Sequence, residues 1–271
     1  MTAADGIARD RGCRWFLFGP ARGSGDAEVE RRVPQGPSGH YKTTAMSRPL
    51  TILYQHHKTD AVTRRRIEGV RRLNPGVPIV PLTHGSSDVF AGTFDSAKVP
   101  GLADENGWAA ADLSIYTWFT MARHGGTTAD RYVFVEWDML FRVPMTEFYR
   151  EVWDVDLAGA EVYFAGPHHF WNWFRACVPL LPADLRPFAA GITPLAGVLL
   201  AHRTLQEVAS RPIPNGIFSE CRLGTLANAS GLDPVELPYF KKRNLTWRED
   251  FVRFDKETPV YHPVKSLTDM D

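Results

Sequence analysis

A chain of 271 residues is long enough for one large domain or two small ones, and it can hold a core without disulfides or a structural metal. Its 31 Lys and Arg residues balance 31 Asp and Glu residues, and this neutrality argues against a dedicated nucleic-acid-binding protein. The chain contains no run of about 18 apolar residues, so we expect no transmembrane segment. We therefore expect a cytoplasmic location, either free or peripheral to the inner face of a membrane.

Residues 1–48 differ in composition from the rest of the chain. Between residues 19 and 48, Gly, Pro, Ser and charged residues dominate, and the apolar residues show no periodicity. Such a segment cannot bury enough apolar surface to offset the entropy lost on ordering, so we predict a disordered N-terminal extension. Met46 lies just before the first predicted strand, which leaves two interpretations open. Either translation begins at Met46, or residues 1–45 form a flexible tail.

The ordered part opens with a strand–helix–strand pattern. Pro49–Tyr54 is a short, apolar, β-rich run, and Val77–Leu82 is a second one. Between them, Thr59 or Asp60 can cap a helix that runs to about Leu73. This helix carries five arginines, which we interpret as a solvated face. Two strands joined by one helix within about 30 residues are expected to be parallel, with a right-handed crossover.

The alternation of strands and helices continues through the chain. After a loop-like stretch over residues 83–107, the pattern predicts a helix, a central strand, two further strands and two helices. These elements are Trp108–His124, residues 132–135, Glu161–Ala165, Pro194–Leu200, Ala201–Ser210 and Phe218–Ala229. Such an order indicates an α/β fold with a mostly parallel central sheet flanked by helices, in a single domain over residues 49–271.

Two carboxylates follow the most apolar of the predicted strands. Four consecutive apolar residues indicate a strand buried on both faces, and Glu136 and Asp138 come directly after it. Open α/β sheets bind ligands at the carboxyl ends of their strands, and an i, i+2 spacing in a continuing strand places both carboxylates on one face. Two adjacent carboxylates repel each other unless a cation such as Mg²⁺ or Mn²⁺ lies between them. The alternative interpretation is an exposed turn without a ligand.

The Glu136-Trp137-Asp138 motif resembles the DxD motif of GT-A type glycosyltransferases, the nucleotide-diphospho-sugar transferase fold. The order of elements from residue 49 onwards is also similar to that of this family. The resemblance implies a Rossmann-like GT-A domain that moves a sugar from a nucleotide-diphosphate donor to an acceptor hydroxyl, with Mn²⁺ or Mg²⁺ as cofactor. It makes Asp138 the direct metal ligand and Glu136 a donor contact, although the motif here has Glu first and Trp in the middle. The acceptor, whether carbohydrate, lipid-linked or a small molecule, stays open.

Three residues late in the chain resemble other parts of the GT-A site. His262 resembles a late histidine that completes the metal shell or contacts the diphosphate, and Lys265 is expected to neutralise phosphate charge. Glu220, in the first turn of a predicted helix, resembles the base that deprotonates the acceptor in inverting enzymes, so we expect inversion. The alternatives are a surface histidine in a tail and a glutamate that interacts with the helix dipole.

Three residues are candidates for contacts with the donor. His56 and His57 follow the first strand, where the resemblance places the nucleotide, and either ring could stack on a base or hydrogen-bond to it. Asp112 interrupts an otherwise apolar helix and could face a pocket. The alternative for each is a capped or hydrogen-bonded residue without a role in binding.

Candidates for the acceptor site come from aromatic and small residues. Trp171 and Trp173 belong to the densest aromatic stretch, and such rings suit the apolar faces of sugars, although they also fill protein cores. Gly197 resembles a position in the strand before the acceptor site, where a small residue lets a substrate approach the backbone.

Two other functions stay open from the sequence. A non-catalytic α/β binding module would share the fold but would not bind a nucleotide in a metal-dependent way. A metal-dependent hydrolase would use the histidines, although the chain has no HExxH or HxH spacing. Metal-dependent nucleotide binding is the property that separates a transferase from these alternatives.

Overall fold

The computed structural model describes residues 49–102, 111–124, 129–164, 172–214, 216–255 and 257–267, without the side chains of residues 172 and 250. The predicted disorder of residues 1–48 lies outside the described residues, as do Trp171 and the first turn of the predicted helix Trp108–His124. The domain boundary after residue 48 therefore stays a prediction.

The chain alternates strands and helices along most of the described residues. The strands are β1 (Leu50–Gln55), β2 (Ile79–Thr83), β3 (Phe94–Asp95), β4 (Arg131–Glu136), β5 (Leu140–Phe141), β6 (Leu157–Gly159), β7 (Glu161–Phe164), β8 (Ala190–Thr193), β9 (Leu199–Ala201), β10 (Pro234–Glu236) and β11 (Val260–Tyr261). The helices are α1 (Ala61–Leu73), α2 (Ala111–His124), α3 (Met145–Phe148), α4 (Asn172–Cys177), α5 (His202–Ala209), α6 (Ser219–Ala229) and α7 (Tyr239–Lys242).

A seven-stranded sheet organises the domain, in the order β10-β6-β9-β4-β1-β2-β3. All neighbouring strands in it are parallel except at β9, which is antiparallel to both β4 and β6. Two small antiparallel pairs, β5 with β11 and β7 with β8, lie outside this sheet. The predicted α/β class and the mostly parallel sheet are confirmed, and so is the parallel pairing of β1 with β2.

The central strand β4 is buried on both faces, as its apolar sequence predicts. Tyr132 and Phe134 face one core, where α2, α5 and α6 pack. Val133 and Val135 face a second core with residues of α1 and α3. Alternate side chains of a strand point to opposite faces, so one strand contributes to both cores. Among the described residues, no helix is both long and apolar enough to cross a membrane.

Helix α1 begins and ends as its sequence predicts, but its basic face is not wholly solvated. Asp60 is the N-cap, and its Oδ1 accepts a hydrogen bond from the Thr63 amide at 2.9 Å. The prediction of a solvated arginine face is wrong for Arg66, which is buried. Its Nη2 donates to the Ser266 carbonyl at 2.9 Å and so ties α1 to the C-terminal segment.

Several sequence-based predictions need correction. The predicted strand Pro194–Leu200 is a turn followed by the short strand β9, because Gly197 adopts φ +77° and leaves the extended conformation. The strand β8 before this turn was not predicted. The loop-like stretch over residues 83–107 contains β3, which extends the sheet as its edge strand.

Candidate metal centre and active site

The two carboxylates of the acidic motif lie at the carboxyl end of β4. Glu136 is the last residue of the strand and is half-buried, and the chain then turns, with the Met139 amide donating to the Glu136 carbonyl at 3.0 Å. Asp138 lies within this turn, and its side chain is buried. Both residues follow a central strand of the sheet, where α/β folds bind ligands.

A histidine from the far end of the chain completes this cluster. Strand β11 pairs with β5, so that Tyr261 lies opposite Leu140. This register brings the next residue, His262, beside Asp138, whose carbonyl accepts from the Val264 amide at 2.8 Å. His262 is buried, and its neighbourhood is therefore set by strand pairing and not by a mobile tail.

Three potential ligand atoms converge in the cluster of Glu136, Asp138 and His262, which we call the metal triad. His262 Nε2 lies 3.3 Å from Glu136 Oε2 and 3.4 Å from Asp138 Oδ1. One ligand atom from each residue lies within 4.8 Å of the others, and no other such group of three exists among the described residues. Two carboxylate oxygens and one imidazole nitrogen form a mixed donor set that suits Mn²⁺, and Mg²⁺ less well.

The His262 ring is held in the orientation that a metal ligand requires. Its Nδ1 lies 2.7 Å from the Thr246 carbonyl, which can only accept, so Nδ1 carries a proton. In the neutral ring, Nε2 is then the unprotonated nitrogen, and it is this nitrogen that faces the carboxylates. Backbone carbonyls orient many metal-binding histidines in the same way.

The two carboxylates of the triad favour the binding of a cation. Burial alone would lower the pKa of His262, but the carboxylates of Asp138 and Glu136 outweigh burial and raise that pKa to about 10. Without a cation, Nε2 is therefore protonated near neutral pH, and a bound cation would take the place of that proton. Burial opposes ionisation of Asp138, yet its interaction with His262 lowers the pKa of the Asp138 carboxyl. Asp138 Oδ1 is buried without a hydrogen bond. Apart from the 3.4 Å ion pair with His262 Nε2, this buried oxygen is unsatisfied, which is costly, and a cation between these groups would satisfy it.

Glu220 lies in the first turn of α6, and its pKa suits a general base. Its Oε2 accepts from the Ser219 hydroxyl at 2.9 Å. Burial raises the pKa of Glu220 to about 7; hydrogen bonds, including that from Ser219, oppose this rise, and the charges of Glu136 and Asp112 add to it. The pKa of Glu220 thus responds to the charge of Glu136 in the triad. A base is most efficient when its pKa lies near the working pH.

Asp112 is part of a buried ion pair, which does not fit the predicted donor contact. Neither Asp112 nor Arg222 is exposed. Arg222 Nε donates to Asp112 Oδ2 at 2.8 Å, and Nη2 donates to Oδ1 at 2.6 Å. Both carboxylate oxygens are therefore occupied by a bidentate pair that joins α2 to α6. A contact between Asp112 and a donor would require this pair to open.

The two adjacent histidines after β1 have different environments. His56 is buried, with its Nδ1 3.3 Å from the Lys58 carbonyl and its Nε2 3.2 Å from Thr93 Oγ1. Both ring nitrogens are engaged within the protein, so the predicted nucleotide contact does not fit His56. His57 is exposed and meets Trp137 of the acidic motif edge to face, with ring centroids 4.9 Å apart. Only His57 is therefore placed beside the motif.

The predicted acceptor residues also differ in their environments. Gly197 is buried, and a Cβ at this position would lie 3.0 Å from Met139 Cε. The glycine is required by its positive φ and by this close contact, so the predicted access for an acceptor does not fit. Trp173 is half-buried and packs on Phe218, with centroids 4.9 Å apart, just before the helix that carries Glu220. Trp171 lies outside the described residues.

Several contributors to the site were not predicted from the sequence. Lys58 Nζ lies 4.2 Å from the centroid of the Trp137 ring, a cation–π contact that brings a positive charge next to the motif. The Thr246 carbonyl orients His262, and its role depends on backbone position, for which the sequence has no signal. Lys265, which was predicted to contact phosphate, is exposed and contributes to lowering the pKa of Asp138.

No protein-family model and no curated protein matches the chain. The chain is similar to solved structures of glucosyl-3-phosphoglycerate synthase from Mycobacterium tuberculosis. One of these, in complex with Mn²⁺, UDP-glucose and phosphoglyceric acid, is 16% identical with a TM-score of 0.43, over 70% of this chain and 70% of that chain. Another, in complex with Mg²⁺ and UDP, is 13% identical with a TM-score of 0.42 over the same shares. Similarity at this level carries no argument about the activity of this chain.

Proposed function

We propose that this chain is a metal-dependent glycosyltransferase that moves a sugar from a nucleotide-diphosphate donor to an acceptor hydroxyl. The observation that carries the proposal is the metal triad, in which Glu136, Asp138 and His262 converge at the carboxyl end of the central strand. The position suits a nucleotide, and the donor set suits a cation that also binds phosphate oxygens.

The residues of the triad have distinct roles in this proposal. Asp138, buried and with an oxygen that lacks a hydrogen bond, is the first ligand, and His262 offers Nε2 as the second. Glu136 is less buried and can bind either the cation or a donor hydroxyl. When bound, a divalent cation would stabilise the negative charge that develops on the leaving nucleoside diphosphate. Lys265, whose charge lowers the pKa of Asp138, would add positive charge near the diphosphate, whereas His57, whose pKa is lowered by burial and by Lys58, would offer hydrogen bonds as a neutral ring.

Glu220 is the general base in this proposal, and the reaction inverts the anomeric carbon. Its carboxylate would accept the proton of the acceptor hydroxyl as that oxygen attacks the sugar. A pKa of about 7 leaves a large fraction of Glu220 ionised near neutral pH. Trp173, which lies beside the start of α6, would contact the acceptor.

Calorimetric titration of UDP and GDP, each with and without Mn²⁺, tests the metal site. The wild-type chain should bind one nucleotide with Mn²⁺ and lose most of that affinity when EDTA removes the metal. Asp138→Asn should weaken the metal-dependent binding by about 100-fold or more, because it removes a charged ligand. The matched control is Asp233→Asn, since Asp233 is an exposed aspartate outside the cluster.

Product analysis with a panel of nucleotide sugars tests the reaction itself. Metal-dependent transfer or hydrolysis of one donor should be lost in both Asp138→Asn and Glu220→Gln, while Glu220→Gln keeps nucleotide affinity. Binding without turnover of any donor would favour the non-catalytic module. If neither nucleotide binds with Mn²⁺, the transferase proposal fails.

A further inference from the structure

A group of aromatic side chains near the C-terminus lies open to solvent. Trp247 is 64% exposed and Phe251 is 45% exposed, and their rings meet edge to face with centroids 5.5 Å apart. Phe254, three residues further on, is 52% exposed. Single exposed apolar residues are common in proteins, but adjacent large ones mark interaction surfaces.

A cation is built into this group. The Arg248 guanidinium carbon lies 5.5 Å from the centroid of the Trp247 ring and 5.0 Å from that of Phe251. We call Trp247, Arg248 and Phe251 the aromatic patch. The cation lies against both rings, so the patch presents apolar surface and positive charge together.

The sequence around the patch is basic, although the whole chain is neutral. Residues 239–267 contain seven Lys or Arg residues and four Asp or Glu residues. Three of the seven basic residues pair with acids: Lys241, which is buried, with Glu151, Lys242 with Glu236, and Arg243 with Asp255. The positive charge next to the patch comes from Arg248 and from Lys265, whose backbone amide donates to Glu249 Oε1 at 3.0 Å. The same contact with Lys265 brings the C-terminal segment, with its half-exposed Leu267, next to the patch.

We propose that the aromatic patch docks this protein on the surface of an anionic membrane. Trp and Phe side chains partition into the headgroup region of a bilayer, and basic residues around them attract anionic lipid phosphates. Phe and Leu side chains have no polar groups that could hydrogen-bond to the hydroxyls of a sugar. The positive charge of Arg248 favours an anionic partner over a neutral or basic one. The observations therefore favour an anionic bilayer over a soluble carbohydrate.

The patch borders the metal triad. Trp247 directly follows Thr246, whose carbonyl holds the His262 ring at 2.7 Å. Docking through Trp247 and Phe251 would hold the triad near the lipid headgroups, where an acceptor hydroxyl of a lipid-linked molecule would lie. This choice of acceptor rests on the proposed transferase activity, whereas membrane docking does not depend on it.

Co-sedimentation of the full chain with lipid vesicles, without metal or nucleotide, tests the docking. Vesicles that contain phosphatidylglycerol in phosphatidylcholine should bind the wild-type chain at least about tenfold more tightly than vesicles of phosphatidylcholine alone. Added NaCl should weaken this binding, since the charge contribution is screened. The double variant Trp247→Ala/Phe251→Ala should bind anionic vesicles about tenfold more weakly or worse.

Two controls make the vesicle experiment decisive. Phe188→Ala removes a comparable exposed ring, 42% exposed, from another part of the chain and should leave vesicle binding unchanged. Circular dichroism should show that all variants keep the wild-type fold. The proposal is overturned if the wild-type chain binds neither vesicle, if both vesicles bind it equally, or if the double variant binds like the wild type. Because the assay contains no nucleotide, these outcomes do not depend on transferase activity.

Discussion

Asp112→Asn should destabilise the domain strongly while leaving nucleotide binding intact. Asp112 and Arg222 are fully buried, and Arg222 uses a third nitrogen, Nη1, to donate to the Pro214 carbonyl at 2.9 Å. The substitution preserves the shape of the side chain but removes its charge and replaces one acceptor oxygen with an amide. The guanidinium is then left without its counter-charge in a site that water does not reach.

The size of the effect follows from this burial. Removing one partner of a buried ion pair costs about 3–5 kcal/mol of unfolding free energy, because an uncompensated charge stays in the core. For the predicted domain over residues 49–271, each kcal/mol lowers the melting temperature by about 2–4 °C, so we expect a fall of about 6–20 °C. A double variant, Asp112→Leu/Arg222→Met, removes both charges and should recover much of that loss.

Thermal melting and nucleotide titration together test the prediction. Melting temperatures of the wild type, Asp112→Asn and the double variant should differ as described. Nucleotide affinity, measured with Mn²⁺ well below the melting temperature, should be equal in all three. If Asp112→Asn melts like the wild type but loses nucleotide affinity, Asp112 is a donor contact and the structural role argued above is refuted.

Two further predictions concern α6, and a glycine of α1 serves as the control for the second. If Glu220 is the base, kcat/KM should rise as the pH increases through about 7, because only the ionised carboxylate accepts a proton, and Glu220→Gln should remove this limb and lower kcat by about 100-fold or more. A flat pH profile would count against this role. Gly224→Ala should lower the melting temperature, because the new Cβ would lie 2.7 Å from the Ala190 carbonyl oxygen. Gly69 lies in helix α1, where a new Cβ would meet only Arg72 Nη2 at 3.8 Å, so Gly69→Ala should instead stabilise the domain by about 0.5–1 kcal/mol. Equal effects of the two substitutions on the melting temperature would contradict the close packing of α6 on β8.

The parts of the fold that the sequence predicted are those with local signals. The apolar run of β4 and the Asp60 cap of α1 depend on neighbouring residues, and periodicity and capping rules describe such neighbours well. Short elements were harder: β3 and β8 have two and four residues, too few to show a period. The turn at Gly197 is set by a glycine in a positive-φ conformation inside an apolar run, and the same run also suits a strand.

The same difference between local and tertiary signals applies to the residues of the candidate site. Glu136 and Asp138 were recognisable because both follow one buried strand within three residues. His56 and Asp112 were equally plausible as sequence positions, yet the structure turns one toward Thr93 and pairs the other with Arg222. Which polar residue faces the interior and which faces a ligand depends on partners that no local pattern encodes.

The sequence alone was enough to predict an α/β fold and an acidic pair at the end of a central strand. Those features follow from side-chain alternation and from burial within single segments. Only the tertiary structure decided that His262 joins Glu136 across 126 positions and that Arg222 takes both oxygens of Asp112 across 110. Such pairings result from sheet register and helix contacts between distant segments, which bring side chains together without any spacing rule along the chain.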